Sequence, residues 1–381
     1  MQLRVATLNT WALPWPLAET PSARIRAIGN ELSRLELDAI GFQEVWTPKA
    51  RRLLIEAGRR VGLSHAWHPQ STLQGGLLLL SRHPIRNASF EPFVLRGHPE
   101  QPLQGDYFGG KGYAHLSLRV GDRNLSLVDT HLQARYASRV THEYRSHRTG
   151  QVVQTALALR ELREPLIVLG DFNFREYTPE YQVLTGLSGL RDVAAELDSR
   201  EATVQASNPY RFGRTRPDHR VDFVFVRDGE RAAFTSRSIR RSFVEPFLLE
   251  GNLASHSNHA GLVAELDLDS GVPLPRNVAD ETLRLASELL TEGLETSKRR
   301  RSNRRSVVGA GIGCAALFAS SQATPAPMER RRFLSRLAKL GILASLTPSL
   351  GYSLLSELVV PQEIDAFSGL LAKLQVFRGA H

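Results

Sequence analysis

A chain of 381 residues is long for one average domain and suits a large α/β domain with an appended tail. Hydrophobic residues make up 42% and charged residues 23%, which excludes wholesale disorder, and a single cysteine, Cys314, excludes an intramolecular disulfide. The formal net charge is +9, but residues 271–381 hold 15 Lys and Arg against 9 Asp and Glu, leaving 33 against 30 in the first 270; the basic excess expected on a nuclease domain is not there.

The opening residues lead straight into an alternating strand, Arg4–Leu8. No charged leader, apolar run and small-residue cleavage site follow one another, so the expectation is retention in the cytoplasm. Further strands are predicted at Ala39–Phe42, Gly76–Leu80, Ala114–Leu118, Leu125–Asp129, Leu166–Leu169, Val221–Val226 and Gly261–Leu266. Helical periodicity covers Arg24–Leu35, Lys49–Val61 and Tyr144–Leu162. Several strands follow one another with no helix between, which suits packed mixed sheets better than a pure βαβ array. The segment Gly271-Val272-Pro273-Leu274-Pro275 marks a break, dividing the chain into residues 1–270 and a tail, 271–381.

In the tail, Asp280–Thr296 is a predicted helix with Leu283, Ala286, Leu289, Leu290 and Leu294 on one face. A cationic run follows at residues 298–305, then an uncharged stretch, 307–328, closed by Pro325 and Pro327. A second basic segment contains Arg330, Arg331 and Arg332, and residues 340–356 are again uncharged but contain Pro348. Neither stretch makes a strong spanning segment, which needs about 20 apolar residues. Phe333, Leu337, Leu340 and Ala344 form an apolar stripe beside Arg332, Arg336 and Lys339, as in a helix lying in a membrane interface. The alternative is a helical appendage with a solvated arginine run.

Polar residues recur at strand ends. Asn9 follows the first strand; Glu44 stands in Gly-Phe-Gln-Glu-Val, His131 in Asp-Thr-His-Leu, and Asp171 and Asn173 in Gly-Asp-Phe-Asn. Asp222 opens a strand in Arg-Val-Asp-Phe-Val-Phe, and His259 precedes one in Ser-Asn-His-Ala-Gly. Such residues converge on one rim of a sheet, where a site is built. Glu and Asn offer the hard oxygens that suit magnesium, two histidines can divide proton work, and an Asp beside an imidazole fixes its tautomer. Singly each is weak: Gly-Asp-Phe-Asn also reads as a turn. Trp11, Pro14 and Trp15 form either an apolar lip for a lipid surface or part of the core. His65, His68, His83, His98, His115, His219 and His256 fit no role.

Over residues 3–266 these motifs resemble the endonuclease/exonuclease/phosphatase superfamily, through Asn9, Gln43-Glu44, Asp171/Asn173, Asp222 and His259 in order. The resemblance implies a four-layer α/β sandwich, two packed mixed sheets flanked by helices, with a C-terminal helical, membrane-associating tail. It implies that Asn9 and Glu44 bind magnesium, or manganese, that Asp171 and Asn173 position water and a phosphate oxygen, that His259 oriented by Asp222 activates the water, and that His131 assists the leaving oxygen. Within the superfamily the chain is most similar to neutral sphingomyelinases, in Leu8-Asn9-Thr10-Trp11-Ala12-Leu13-Pro14, in Thr130-His131-Leu132-Gln133-Ala134 with Glu143-Tyr144, His147-Arg148 and Gln151, and in Asp106-Tyr107-Phe108-Gly109-Gly110-Lys111-Gly112. There an Asp and Lys spaced as Asp106 and Lys111 belong to a switch loop near the site. Asn258 departs from the family's Ser-Asp-His and keeps the hydrogen-bonding oxygen without its charge. The expected function is a magnesium-dependent phosphodiesterase acting on a phospholipid headgroup ester at the cytoplasmic side of a membrane; a nuclease, a phosphoinositide phosphatase and a silent membrane scaffold are the rivals, with nucleic acid not the expected partner.

Overall fold

The computed structural model describes residues 1–70, 75–101, 105–136, 144–211, 217–273, 277–320 and 328–379, without the side chains of 328–334, 336 and 348. Glu143, Leu274, Pro275, Pro325, Pro327 and the side chains of Arg330, Arg331, Arg332, Phe333 and Arg336 therefore lie outside the described residues. The chain begins with β1 (Gln2–Asn9), α1 (Pro21–Glu31), β2 (Ala39–Gln43), α2 (Pro48–Arg60), β3 (His65–Trp67), β4 (Leu78–Ser81) and β5 (Ile85–Pro92). It continues through α3 (Asp106–Gly109), β6 (Gly112–Val120), β7 (Arg123–His131), α4 (Arg145–Arg160), β8 (Leu166–Asp171) and α5 (Pro179–Ser188). Then come β9 (Arg191–Asp192), α6 (Val193–Glu196), β10 (Asp222–Arg227), β11 (Ala232–Ser242), the hairpin β12 (Phe247–Leu249) and β13 (Asn252–Ala254), and β14 (Gly261–Ser270). Three helical elements follow: α7 (Asp280–Ser320), α8 (Met328–Leu354) and, after a π-helical turn at Leu355–Val359, α9 (Val360–Gly379).

Two six-stranded sheets result, ordered β11-β14-β1-β2-β4-β3 and β5-β6-β7-β8-β10-β9. Both mix parallel and antiparallel pairs, since β1 and β2 run parallel, as do β7 and β8, while β14 and β10 return antiparallel. The alternation in β1 shows how the layers form. Leu3 and Val5 join the core between the sheets with Leu79, Leu116, Leu127, Ile167, Leu169 and Val224. Ala6 and Leu8 face the other way, onto Ile25 and Ile28 of α1 and Leu54 and Ala57 of α2. On the far sheet, Phe223 and Phe225 of β10 pack against the tilted ring of Tyr181 of α5. Central strands covered on both faces read as unbroken apolar runs, as in Leu166–Leu169. The architecture is the four-layer sandwich expected from the resemblance.

The chain forms two compact units, Met1–Ala286 and Ser287–His381. In the second, the expected helix extends much further, to Ser320, because the basic run is itself helical. Its charges are paired within the unit. Arg301 and Arg305 bond Glu357, presented by the π-turn, and Arg300 and Ser297 bond Glu363. Small residues bring α7 and α8 together: a Cβ on Gly311 would fall 1.8 Å from Ser349 Oγ, and one on Gly341 would meet Phe318. Ile312, Leu317, Leu340, Leu343, Leu350, Leu354 and Leu358 remain exposed. The backbone of α8 stays helical through Pro348, and among the described residues one stretch, Leu337–Gly379, is long and apolar enough to cross a membrane.

Candidate active site

Strand register gathers the predicted residues at one end of the sandwich. In the first sheet Asn9 lies beside Gln43 across the parallel β1–β2 pair, and Glu44 follows. In the second, Asp171 is paired with His131 on one side and with Asp222 on the other. His259 precedes β14, which neighbours β1. Glu44 and Asn173 both leave their strands with positive φ, 59° and 51°. That conformation is uncommon for a non-glycine residue and costs about 1–2 kcal/mol, and it turns both side chains back over the strand ends. Gly170 allows the close approach of β8 to β7, since a Cβ there would lie 2.0 Å from Thr130 O.

Hydrogen bonds then join the two sheets. Asn9 Nδ2 donates to Asp171 Oδ2 and to Glu44 Oε1, each at 2.9 Å, while Asn9 Oδ1 accepts from Trp11 N at 3.0 Å. Asn173 donates its backbone N–H to Asp171 Oδ1 at 3.0 Å and its amide to Leu132 O at 3.0 Å. His259 Nδ1 lies 2.9 Å from Asp222 Oδ2. Ser257 Oγ donates to Asn9 O at 2.6 Å and accepts from His259 N at 3.3 Å, tying the last loop to the first strand. Asn258 Oδ1 lies 3.3 Å from Ser257 Oγ.

The electrostatics follow from burial and from three converging carboxylates. Burial and the Asp222 charge push Asp171 up to about 7. Burial alone would lower His259, but Asp222, Asp171 and Glu44 outweigh it and hold it at about 9. His131 is driven well below its ordinary range by burial, then by Lys111 and His259. Asp222 Oδ1 is buried with no hydrogen-bond partner among the described residues. Ligand atoms of Asp171, Asp222 and His259 lie within 4.8 Å of one another. Acidic oxygens in excess of local positive charge fit a hard divalent cation.

Asp106 and Lys111 also reach this end. Their ion pair is 2.8 Å long and buried, with side chains 9% and 4% exposed. Lys111 Nζ further contacts Leu132 O at 2.9 Å and His131 Nε2 at 3.0 Å, and Ala134 N donates to the second oxygen of Asp106 at 2.7 Å.

The sequence named Gln43 within Gln43-Glu44 and Asp129 within Asp-Thr-His-Leu but not their contact, and it assigned no role to Arg24 or Gly41. Gln43 Nε2 donates to Asp129 Oδ1 at 2.6 Å across the sheets, and burial holds Asp129 well above the carboxylate range. Gly41 makes room for that pair, since a Cβ there would sit 2.8 Å from Asp129 Cγ. Arg24, fully buried, donates to Thr10 O, Trp11 O and His256 O, so one guanidinium holds the loop after β1 to the segment before His259. An arginine in an amphipathic helix pattern gives no sign of this. Trp11 packs on Tyr210 and beneath Arg24, whereas Trp15 is 80% exposed, with Leu17, Leu248 and Leu253 exposed as well.

Residues 6–243 match the family model described as Endonuclease/Exonuclease/phosphatase family. With that match over more than half of its length, the chain belongs to this family. It is 30% identical over 276 residues to a putative neutral sphingomyelinase of Drosophila melanogaster, a match covering 70% of this chain and 61% of that protein. Among solved structures, zebrafish (D. rerio) TDP2 in complex with a single-strand DNA product superposes with TM-score 0.57 at 18% identity, over 70% of this chain and 99% of that one. A beta toxin mutant of Staphylococcus aureus with bound magnesium ions superposes with TM-score 0.54 at 17% identity, over 69% and 99%.

Proposed function

We propose that this chain is a magnesium-dependent phosphodiesterase, a sphingomyelinase-like phospholipase C that hydrolyses a phospholipid headgroup ester, with residues 1–270 as its catalytic domain. The observation that carries the reading is the convergence of Asn9, Glu44, Asp171, Asn173, Asp222 and His259 on one rim, through the Asn9–Asp171 and His259–Asp222 bonds. Glu44 and Asn9 would hold magnesium, or manganese, the asparagine through its amide oxygen once the amide is turned over; oxygen and nitrogen of that group are assigned from hydrogen bonding. When bound, the cation would polarise a phosphoryl oxygen and neutralise charge at the displacement centre.

Asp222 fixes the Nδ1–H tautomer of His259 and leaves Nε2 to take a proton from water. A base must be neutral, and a group held at about 9 is protonated at neutral pH. Offsetting the charges of Asp171 and Glu44 would bring it down, which couples base strength to metal occupancy. Asp171 and Asn173 would position the water and a phosphate oxygen. His131 would assist the leaving oxygen; burial and Lys111 hold it neutral, and its Nε2 faces both the Lys111 ammonium at 3.0 Å and Asp171 Oδ2 at 3.5 Å.

A lipid substrate is supported by the exposed Trp15, Leu17, Leu248 and Leu253, whose two loops Arg24 ties together, and by the sphingomyelinase name of the fly relative. The exposed leucines of α7 and α8 support attachment of residues 271–381 to a membrane; the catalytic domain would lie on the cytoplasmic side, set by the basic run between it and the first apolar stretch. The test is an assay of purified protein against lipid and nucleic-acid phosphodiesters, with magnesium and with chelator. Metal-dependent release of a phosphorylated headgroup is expected. DNA cleavage without lipid cleavage, or lipid cleavage indifferent to chelation, would defeat the reading.

A further inference from the structure

The His259–Asp222 pair is built from two strand ends, since Asp222 opens β10 and His259 stands just before β14. A strand inside a sheet has its backbone N–H groups taken by neighbours on both sides, and a buried N–H without an acceptor is costly. β10 is covered in this way only in part. β8 pairs with it from Asp222 to Arg227, but β9 pairs only with Phe225 and Val226. At the start of β10 a side chain supplies acceptors where β9 does not reach. Thr203 Oγ1 accepts from Val221 N at 3.2 Å and from Asp222 N at 3.3 Å. A hydroxyl oxygen has the lone pairs for both.

Thr203 also reaches the histidine. Its carbonyl accepts from the N–H of Ala260, the residue after His259, at 2.7 Å. One residue, 1% exposed, thus holds the backbone next to each member of the pair. It is itself held in place, because Val204 and His219 exchange backbone hydrogen bonds at 2.9 and 3.0 Å, an antiparallel bridge beside the approach to β10. Further along the same segment, Asn208 Nδ2 donates to Ser257 O at 2.8 Å. Residues 203–208 therefore grip the chain on both sides of His259. Nothing in Glu201-Ala202-Thr203-Val204 marks this threonine as part of a site.

We propose that Thr203 is a positioning residue for the base. Its hydroxyl fixes the backbone of Asp222 and its carbonyl fixes the backbone beside His259, so carboxylate and imidazole stay at hydrogen-bond distance although their strands belong to different sheets. Thr203 acts through the 2.9 Å bond between His259 Nδ1 and Asp222 Oδ2. The role rests on the phosphodiesterase reading, but the geometry of the pair can be read without turnover.

The experiment uses the full chain with magnesium. It compares Thr203→Val, which keeps the shape and removes the oxygen, with Thr203→Ser, which keeps the oxygen. Rates are taken on bis(4-nitrophenyl) phosphate and on sphingomyelin in mixed detergent micelles. Thr203→Val should lower kcat by about tenfold or more and change KM by less than about twofold, because a displaced base is lost to the reaction while binding is kept. Thr203→Ser should stay within about threefold of the wild type. In an Asp222→Ala background, where there is no pair to position, Thr203→Val should cost less than about twofold more. Proton NMR gives a readout besides activity. The His259 Nδ1–H facing Asp222 should resonate far downfield, disappear in His259→Gln, be shifted or lost in Thr203→Val and be kept in Thr203→Ser. If Thr203→Val does not fold, Thr203→Cys takes its place, since a thiol is the weaker acceptor and differs from the serine variant by one atom. No hydrolysis by the wild type would sink the phosphodiesterase reading, while the resonance would still decide the positioning. Wild-type kcat in Thr203→Val, an equal loss with and without Asp222, or an unmoved resonance would each overturn the proposal.

Discussion

Removing the Lys111 ammonium tests whether the Asp106–Lys111 pair is a surface contact or part of the active-site scaffold. An exposed ion pair would be worth about 0–1 kcal/mol. Here Lys111 is 4% exposed and its ammonium contacts Asp106 Oδ1 at 2.8 Å, Leu132 O at 2.9 Å and His131 Nε2 at 3.0 Å. Lys111→Met keeps the length of the side chain but leaves Asp106 as an uncompensated buried charge, a loss of about 3–5 kcal/mol. In a unit of this size each kcal/mol moves the melting temperature by about 2 °C, so a fall of about 6–10 °C is expected. The same change deprives His131 of the partner that fixes its ring, and turnover on lipid should fall by about tenfold or more. Differential scanning calorimetry of Lys111→Met, Asp106→Asn and the double variant measures the coupling. The double variant should cost at least about 2 kcal/mol less than the sum of the singles. A shift below about 2 °C in Lys111→Met, or additive singles, would refute the argument from burial.

Glu44→Gln should fold normally and lose activity by about two orders of magnitude or more, with rates on a soluble phosphodiester as the check; full activity at ordinary magnesium would remove Glu44 from the metal site. His259→Ala and Asp222→Ala should both cripple turnover, the aspartate change less severely if it acts only by orienting the ring; a stable Asp222→Ala protein with normal kcat would break the pair. His219 is held neutral down to about 4, so its contribution to stability is complete above the unfolded value near 6.5 and is lost as pH falls from there towards 4. The half-buried ring makes that about 1–2 kcal/mol, read as a denaturant midpoint that drops between pH 7 and pH 4.5 less steeply in His219→Gln than in the wild type. A chain ending at Ala286, the end of the first compact unit, should fold and cleave a soluble substrate but lose binding to vesicles; unchanged binding in a sedimentation assay would show that the tail is not the anchor.

The central strands were legible because burial on both faces leaves little but apolar residues, as in β4 (Leu78–Ser81) and β8 (Leu166–Asp171). Edge strands were not. β5 is exposed along most of its length, and β11 carries Ser, Thr and Arg through a register shift between Ser236 and Ser238, so neither shows an alternating pattern. The site residues were visible through their position just beyond strands, but their pairing was not. Nothing local joins Gln43 to Asp129 or Arg24 to His256, contacts that span 86 and 232 residues. The sequence of the tail's basic run shows no partner for it, and the structure gives three of its arginines glutamate partners far along the chain. Attraction to a membrane then falls more on the exposed leucines than on the arginines, because a paired charge has less to gain from an anionic surface.

The position of the site follows from where polar groups are allowed between the sheets. Below the rim the interface is apolar, from Leu3 and Val5 through Leu127 and Val224. At the rim the contacts that cross it are polar: Gln43 to Asp129 at 2.6 Å, Asn9 to Asp171 at 2.9 Å and His259 to Asp222 at 2.9 Å. Each donor comes from the first sheet or its loops and each acceptor from the second. Slipping a strand by one residue would turn its core-facing side chains outward, so the apolar interface fixes the register that these bonds require. Within the second sheet, burial and the charge of the neighbouring Asp222 raise Asp171 to about 7, against the lowering effect of the Asn9 bond. Replacing Asn9 therefore ought to raise Asp171 further and loosen the sheets together. A catalytic group whose partners also join the two sheets cannot be optimised for stability alone, and that constraint keeps charged residues at the one end of the sandwich where a cation can offset them.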